Sequence, residues 1–299
     1  MTEELRTVDA ALLSHLQTWQ GRAETLRDTI TSAPVSGLSA TLDREDPAPV
    51  PGTALPPLWH WLYFLPQVRQ SGLGPDGHPA RGGFLPPVPL PRRMWAGGRL
   101  RWEEHNPLLV GDTVQRTSRI ESITHKAGRT GDLVFVLVKH EISNAKGLAL
   151  TEEHDIVYRA APQPGDPVPA PIAAETGAPW CRSITPDDVL LFRYSALTFN
   201  GHRIHYDRRY VTEVEGYPGL IVHGPLIATL LIDLLRRQCP SARVKSFHFK
   251  AVRPTFDLHP FGLNGAASAD GKSVRLWSND HEGWLTLQEI GRASCRERV

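Results

Sequence analysis

The spacing of apolar residues indicates that the chain has two halves of similar design. Leucines at helical spacing predict a helix within residues 8–31, and the Pro-, Ala-, Ser- and Asp-rich residues 33–57 are typical of a loop. The aromatic run LWHWLYFLP, which ends at Pro66, predicts a buried helix. Residues 97–161 consist of β-rich segments separated by turn-forming residues. The first half is therefore predicted to be one aromatic helix followed by several strands.

The second half repeats this order after a proline-rich stretch, residues 162–179, which we interpret as a stiff linker. A short helix is predicted from about Pro186, followed by a loop and then by the helix GPLIATLLIDLLRR at 224–237. That helix is apolar around most of its circumference, so it must be buried. Three β-like runs follow it. Because an antiparallel sheet wrapped around one helix buries both apolar surfaces, we predict an α+β fold for residues 1–161 and again for 180–289.

Composition argues against several classes of protein. The chain has 33 basic and 32 acidic residues, so it carries no broad basic field for nucleic acid. It has no run of about 18 apolar residues that would span a membrane, and its N-terminus lacks the pattern of a signal peptide. Three separated cysteines argue against a disulfide framework or a cysteine zinc site. We expect a cytoplasmic protein.

The last ten residues differ from the rest of the chain. The segment IGRASCRERV, residues 290–299, has no hydrophobic period and matches the translation of a common sequencing adapter. We interpret it as a non-native tail, with a natural basic tail as the alternative. Cys295 therefore enters no functional argument.

Polar and ionisable residues are concentrated just before the apolar helix. They lie in the segments FRYSALTFNGHRIHYD, residues 192–207, and EGYPGLIVHGP, residues 215–225. Such a density of polar groups beside a buried helix is costly unless the groups are solvated, paired or functional. The candidate residues are Asn200, His202, Arg203, His205, Tyr206, Asp207 and His223.

These two segments resemble the active-site region of MaoC-like hydratases, a hotdog-fold family. They are most similar to its double-hotdog branch, which contains type 2 3-hydroxyacyl-thioester dehydratases and mesaconyl-C4-CoA or itaconyl-CoA hydratases. The resemblance spans most of residues 8–289 and includes LPPLWHWLYFLP, PRRMWAGGRL and VHGPLIATLLIDLL. It implies a double hotdog, in which each half is an antiparallel sheet wrapped around one central helix. It also implies reversible syn hydration of a short branched or dicarboxylic enoyl-CoA, with no metal and no cofactor beyond the coenzyme A of the substrate.

The resemblance assigns roles to three residues. In the family an Asp lies five residues before the catalytic His, in the pattern Asp-x-Asn-Pro-aliphatic-His, which places the His at His205 and the Asp at Asn200. Because Asn cannot take a proton, we expect His205 alone to deprotonate the water and Asn200 to orient it. The backbone N–H of Gly224, at a helix start, is expected to stabilise the thioester oxygen.

Each assignment has a simpler alternative. His205 could be a structural histidine, Asn200 a turn-former, and Gly224 a site of close helix packing. Asp207 is expected either to hold the His205 ring or to assist a relay through His202.

The remaining candidates have open roles. Arg203 could be a surface charge, pair with Asp207, or meet a substrate carboxylate. Arg92 and Arg93 could bind the phosphates of coenzyme A, because guanidinium groups suit phosphate, or they could be ordinary surface residues. The supporting set is completed by Tyr194, His202 and His223. A zinc site at these histidines would need three or four ligands and a second shell, so none is expected, and the turn at Asp76-Gly77 is interpreted as structural.

The first half contains no Asn-x-x-x-x-His pattern beside its aromatic run. We interpret it as a degenerate hotdog that completes the sheet and forms the substrate groove, in a monomeric double hotdog or a homodimer. Three other functions stay open. They are a 3-hydroxyacyl-thioester dehydratase of fatty-acid synthesis, a non-catalytic acyl-thioester binding module suggested by the missing Asp, and a thioesterase that uses His205 and Asp207.

Overall fold

The protein is described by a computed structural model. It covers residues 7–128, 131–161, 165–167 and 169–289, together with the backbone of 293–296. Part of the predicted linker and most of the predicted non-native tail lie outside the described residues.

Among its described residues, the first half has two helices, two 3-10 turns and five strands. The two longest strands pair as a hairpin, and in the second of them buried residues alternate with more exposed ones from Val134 to Ile142. In chain order the elements are α1 (Ala10–Gln17), β1 (Ala23–Thr29), α2 (Ser32–Thr41), the 3-10 turns Trp59–Leu62 and Gln70–Gly72, β2 (Arg92–Trp102), β3 (Thr113–Gly128), β4 (Gly131–Asn144) and β5 (Gly147–Arg159).

The second half places its helices before most of its strands. The long helix that begins at Gly224 has a proline in its first turn, where the missing N–H costs nothing. In chain order the elements are β6 (Trp180–Ile184), α3 (Asp188–Leu197), the 3-10 turn Arg203–His205, α4 (Arg208–Glu213), α5 (Gly224–Gln238), β7 (Arg243–Val244), β8 (Ser246–Ala251), β9 (Phe261–Ala267), β10 (Ser273–Asn279), β11 (Leu285–Glu289) and β12 (Ala293–Arg296).

Within the part of the chain that the structure describes, all strand pairs are antiparallel and form one continuous sheet. The strand order is β1-β3-β4-β5-β2-β8-β11-β10-β12-β7, and β9 pairs with β10 and β6. The two halves meet where β2 pairs with β8, with Gly98 opposite Phe249. A Cβ at Gly97 would lie 2.5 Å from the Phe249 carbonyl oxygen, so the seam requires glycine there. The sheet therefore brings residues of both halves to a common face.

Helix α5 forms the centre of the larger core. Its residues from Leu226 to Leu235 are all buried, and it packs on β6, β9, β10 and β11. Its one buried carboxylate, Asp233, pairs with Arg44 at 2.6 Å, Arg182 at 2.9 Å and Arg237 at 2.7 Å. These pairs fix α5 to residues of both halves. Among the described residues, no helix is both long and apolar enough to cross a membrane.

The two helices and the β-rich runs predicted for the second half are confirmed, although β6 and α4 were not predicted, and several predictions for the first half are wrong. Helix 224–237 and the short helix after Pro186 are present as α5 and α3. The predicted helix over 8–31 ends at Gln17, after which β1 pairs along β3. The predicted loop over 33–57 contains α2. The aromatic run forms only a 3-10 turn, because left-handed backbone at Leu58 and Phe64 interrupts it at both ends.

Candidate active site

The candidate site is built around His205, at the end of a 3-10 turn in the loop between α3 and α4. We call residues 198–207 the motif loop. The Nδ1 atom of His205 lies 2.7 Å from the carbonyl oxygen of Ile221. Since a carbonyl only accepts hydrogen bonds, Nδ1 carries the proton and donates it, which leaves the lone pair on Nε2. Burial lowers the pKa of His205 to about 4, although the bond to Ile221 opposes the shift. The imidazole is therefore neutral at pH 7 and equipped to act as a base.

A second histidine, His223, forms the wall behind His205. The two rings stack with centroids 3.7 Å apart, and His223 is 1% exposed. Its Nε2 atom is 2.8 Å from Ser195 Oγ, and the ring of Tyr194 packs edge-on at 5.1 Å. Burial, followed by the two neighbouring histidines, keeps the pKa of His223 well below its usual value. The predicted supporting residues Tyr194 and His223 thus hold the His205 ring in place.

Gly224 begins α5 directly after His223. The described residues offer no hydrogen-bond acceptor to its backbone N–H, and a Cβ at this position would meet nothing within 4 Å. The first N–H groups of a helix have no partner inside the helix and lie at the positive end of its dipole. Open space beside an unpaired N–H is the arrangement that a developing oxyanion needs.

Asn200 and His202 occupy the turn before His205. The side-chain oxygen of Asn200 accepts the His202 N–H at 3.0 Å, which is the turn-forming role considered as the alternative. Its amide nitrogen has no partner among the described residues, so the water-orienting role stays a prediction. The His202 ring meets His205 edge-on at 5.4 Å. Burial, and then the rings of His78 and His205, lower the pKa of His202 to about 2.

The predicted contact between Asp207 and the His205 ring is wrong. Asp207 Oδ1 accepts the Tyr210 N–H at 3.0 Å and caps α4, while Oδ2 accepts two bonds from the Arg203 guanidinium. Both oxygens are therefore engaged away from the imidazole, whose Nδ1 is held by a backbone carbonyl instead. Arg203 adopts the predicted pair with Asp207, and its guanidinium also lies 4.1 Å from the Tyr210 ring centroid.

A turn from the first half completes the site, although no pattern in the sequence marks it as part of the site. Residues 74–78, which we call the docking turn, lie against the motif loop. The Arg203 N–H donates to the Asp76 carbonyl oxygen at 2.9 Å. Gly77 has a φ of 86°, and a Cβ there would lie 1.9 Å from the Gly201 carbonyl oxygen. Only glycine fits at this contact.

The docking turn brings Asp76 and His78 to the motif loop. Asp76 accepts both the backbone N–H and the Nδ1–H of His78, each at 3.0 Å. The His78 ring lies 3.9 Å from the His202 ring. Although burial opposes the shift, the bond from His78 lowers the pKa of Asp76. Burial lowers the pKa of His78, with Asp76 opposing. The pair is therefore a carboxylate holding a neutral imidazole.

Arg92 and Arg93 are neighbours on β2, but their side chains have different surroundings. Arg92 donates to the Tyr217 hydroxyl at 2.7 Å and to the Glu215 carbonyl oxygen at 2.8 Å, and its charge lies 3.5 Å from the Glu215 carboxylate. This makes Arg92 a link between β2 and the segment before α5. Arg93 lies beside the docking turn, where its charge adds to the effect of burial in lowering the pKa of His78.

Among the described residues, one group has donors spaced for a metal ion. The ligand atoms of Asp76, His78 and His202 lie within 4.8 Å of one another. This differs from the set of His202, His205, Asp207 and His223 that was considered from the sequence, because Asp207 is committed to Arg203. The hydrogen bond from His78 to Asp76 already explains the geometry of the group without an ion.

Comparison with known proteins identifies the family of this chain. A family model described as hydroxyacyl-thioester dehydratase type 2 matches residues 58–257. The chain is 49% identical to mesaconyl-C(4)-CoA hydratase of Chloroflexus aurantiacus over 272 residues, which cover 90% of this chain and 94% of that protein. The matched region contains the motif loop, the docking turn and the start of α5.

Solved structures agree on the fold. A MaoC-like dehydratase from Phytophthora capsici has a TM-score of 0.66 at 13% identity, over 93% of this chain and 97% of that chain. A Mycobacterium tuberculosis protein described as a double hotdog has a TM-score of 0.56 at 14% identity, over 93% and 96%. The predicted α+β double hotdog is thus confirmed. The chain belongs to the hydroxyacyl-thioester dehydratase type 2 family and is a hydro-lyase with a double-hotdog fold.

Proposed function

We propose that this protein hydrates the double bond of a dicarboxylic enoyl-CoA thioester such as mesaconyl-C4-CoA. The observation that carries the proposal is a buried neutral imidazole, His205, whose Nε2 lone pair is available and whose ring stacks on His223, the residue before the unpaired first N–H of α5. The 49% identity to a hydratase of that name supports the substrate class.

The proposed reaction begins with a water molecule bound at Nε2 of His205. One O–H bond of the water breaks and its proton passes to Nε2 while the new C–O bond forms at the β-carbon. The electrons of the C=C bond move onto the thioester oxygen, which the Gly224 N–H stabilises. The proton then passes from Nε2 to the α-carbon on the same face, which restores the carbonyl and the neutral imidazole. The free amide nitrogen of Asn200 orients the water.

We propose that no cofactor or metal takes part, because these proton transfers need only the imidazole and a backbone amide. The partner is acyl-CoA, with neither nucleic acid nor a membrane involved. The proposed location is the cytoplasm, and the proposed assembly is a monomeric double hotdog or a homodimer. Arg92 is left out of coenzyme A binding because its donors are engaged with Tyr217 and Glu215.

The second candidate is the reverse reaction, dehydration of a 3-hydroxyacyl thioester. The description of the matching family model favours it. The same residues serve both directions, since each step above is reversible. Substrate preference, rather than site chemistry, separates the two functions.

A panel of thioesters tests the proposal. Purified protein is mixed with mesaconyl-C4-CoA, crotonyl-CoA and a 3-hydroxyacyl-CoA, while the enoyl-thioester absorbance and free thiol are both recorded. We expect mesaconyl-C4-CoA to lose its enoyl absorbance fastest and without thiol release. Thiol release would identify a thioesterase. No reaction with any thioester, together with a raised melting temperature, would identify a binding module.

A further inference from the structure

Protonation of His205 during the proposed reaction would place a positive charge in a buried position. When His205 accepts the proton of water it becomes an imidazolium in a position that is 8% exposed. A buried cation is costly unless a negative group compensates it. Position 200 holds Asn instead of a carboxylate, and Asp207 is engaged with Arg203 and the α4 cap. The enolate that forms on the substrate supplies one negative charge in this step, and any counter-charge from the protein has to come from another part of the fold.

Four histidine rings form a continuous line through the site. We call His78, His202, His205 and His223 the histidine row, and its successive ring centroids are 3.9, 5.4 and 3.7 Å apart. One end of the row is closed by the neutral hydroxyl of Ser195, which is 2.8 Å from His223. The other end is closed by the Asp76 carboxylate, which is 3.0 Å from Nδ1 of His78. The negative charge of the row therefore lies at the end contributed by the first half.

The position of Asp76 is fixed by the backbone. Its carbonyl oxygen accepts the Arg203 N–H at 2.9 Å, and Gly77 lies in direct contact with the Gly201 carbonyl. These contacts couple the docking turn to the motif loop and fix the position of Asp76 relative to that loop. Asp76 is thus held at two points, through its backbone carbonyl by Arg203 and through its carboxylate by His78.

We propose that Asp76, held by His78, is the counter-charge of the histidine row and replaces the carboxylate that position 200 lacks. The inference rests on the proposed hydration. Asp76 and His78 are positioning residues: they act on the imidazolium of His205 through His202 and do not touch the substrate. The degenerate first half thereby contributes a charge to the chemistry of the second half.

The substitution Asp76→Asn tests the proposal by removing the charge while keeping a side chain that suits the turn. We expect kcat to fall by about tenfold or more, with KM nearly unchanged, because the lost interaction exists only when the imidazolium forms. Asp270→Asn is the matched control. Asp270 also lies in an Asp-Gly turn and accepts the N–H two residues on, at 3.1 Å, but the turn joins β9 to β10. A kcat of Asp76→Asn within twofold of the wild type would overturn the proposal.

A second variant separates this charge effect from simple damage to the turn. Adding Asn200→Asp to Asp76→Asn places a carboxylate beside His202, because the new side chain can still accept the His202 N–H. We expect it to restore kcat at least severalfold. Failure to raise kcat in a double variant of normal melting temperature would contradict the replacement of one carboxylate by the other.

A titration without substrate distinguishes failure of this inference from failure of the proposed function. The charged and titratable groups facing the histidine row are Asp76, Arg81, Arg93 and Tyr194. NMR titration of the ring signals is expected to show a lower pKa for His78 in Asp76→Asn than in the wild type. An unchanged pKa would overturn the counter-charge even if the enzyme hydrates its substrate.

Discussion

The contact between Gly77 and Gly201 makes a prediction about the coupling of the two halves. In Gly77→Ala, a methyl group is added where the nearest atom is the Gly201 carbonyl oxygen, only 1.9 Å away. Real Cβ atoms essentially never approach another atom within 3.0 Å, so the docking turn and the motif loop must separate by roughly 1 Å. The neighbouring atoms are backbone, so no side-chain rotation can relieve the clash.

Two effects of this substitution have different sizes. Alanine in left-handed backbone costs about 1–2 kcal/mol of folding free energy wherever it occurs. A misplacement of about 1 Å near a reacting group costs on the order of 10²-fold in rate. We therefore expect kcat/KM for enoyl-CoA hydration to fall by roughly 10²-fold, together with a modest loss of stability.

Gly271→Ala is the control, because Gly271 also has positive φ but a Cβ there would meet nothing within 4 Å. Both variants are compared by thermal melting and by the rate of enoyl absorbance loss. Similar melting temperatures with activity lost only in Gly77→Ala would support the coupling. Wild-type activity in Gly77→Ala would refute the argument that the docking turn positions the motif loop.

Three further predictions concern the same site and its support. Gly224→Ala has room for its methyl group, so we expect an unchanged melting temperature. We expect kcat to fall about tenfold, because the methyl group occupies the space for the substrate oxygen. An unchanged kcat would count against the oxyanion role. The unfolded chain protonates its histidines below about pH 6.5, whereas folded His205 protonates near pH 4. The neutral His205 therefore contributes to the free energy of unfolding above pH 6.5, and this contribution is lost as the pH falls to 4. Urea titrations should show that His205 accounts for a loss of about 3 kcal/mol in the free energy of unfolding over this range. A free energy of unfolding that does not change with pH would contradict this. Asp233→Ala leaves three arginines without their buried partner and is expected to lower the free energy of unfolding by about 3–5 kcal/mol, again measured in urea; a loss under 1 kcal/mol would contradict the role of Asp233 in joining the halves.

The second half was the more predictable part of the fold. Helix α5 carries an apolar pattern that only burial explains, and a proline marks its start. In the first half, local pattern and structure disagree. The aromatic run 58–64 has the composition of a buried helix, yet two residues with positive φ restrict it to one 3-10 turn. Such backbone is set by tertiary packing, which no local pattern records.

The candidate site was predictable where its residues are close in sequence. His205, His223 and Gly224 lie in two short segments, and the structure brings them together at the start of α5. The Asp76–His78 pair was missed because an Asp-Gly turn is an ordinary structural feature and nothing in its sequence indicates its contact with residue 201. The backbone contacts between the halves and the ring contact between His78 and His202 reveal that this turn belongs to the site.

The central claim is that the lone pair of His205 removes the proton from water. The most direct measurement compares His205→Gln with the wild type in hydration of mesaconyl-C4-CoA, with melting temperature as the control for folding. We predict a fall in kcat on the order of 10² or more, with no change in thiol release. Hydration at the wild-type rate by a folded His205→Gln protein would contradict the account.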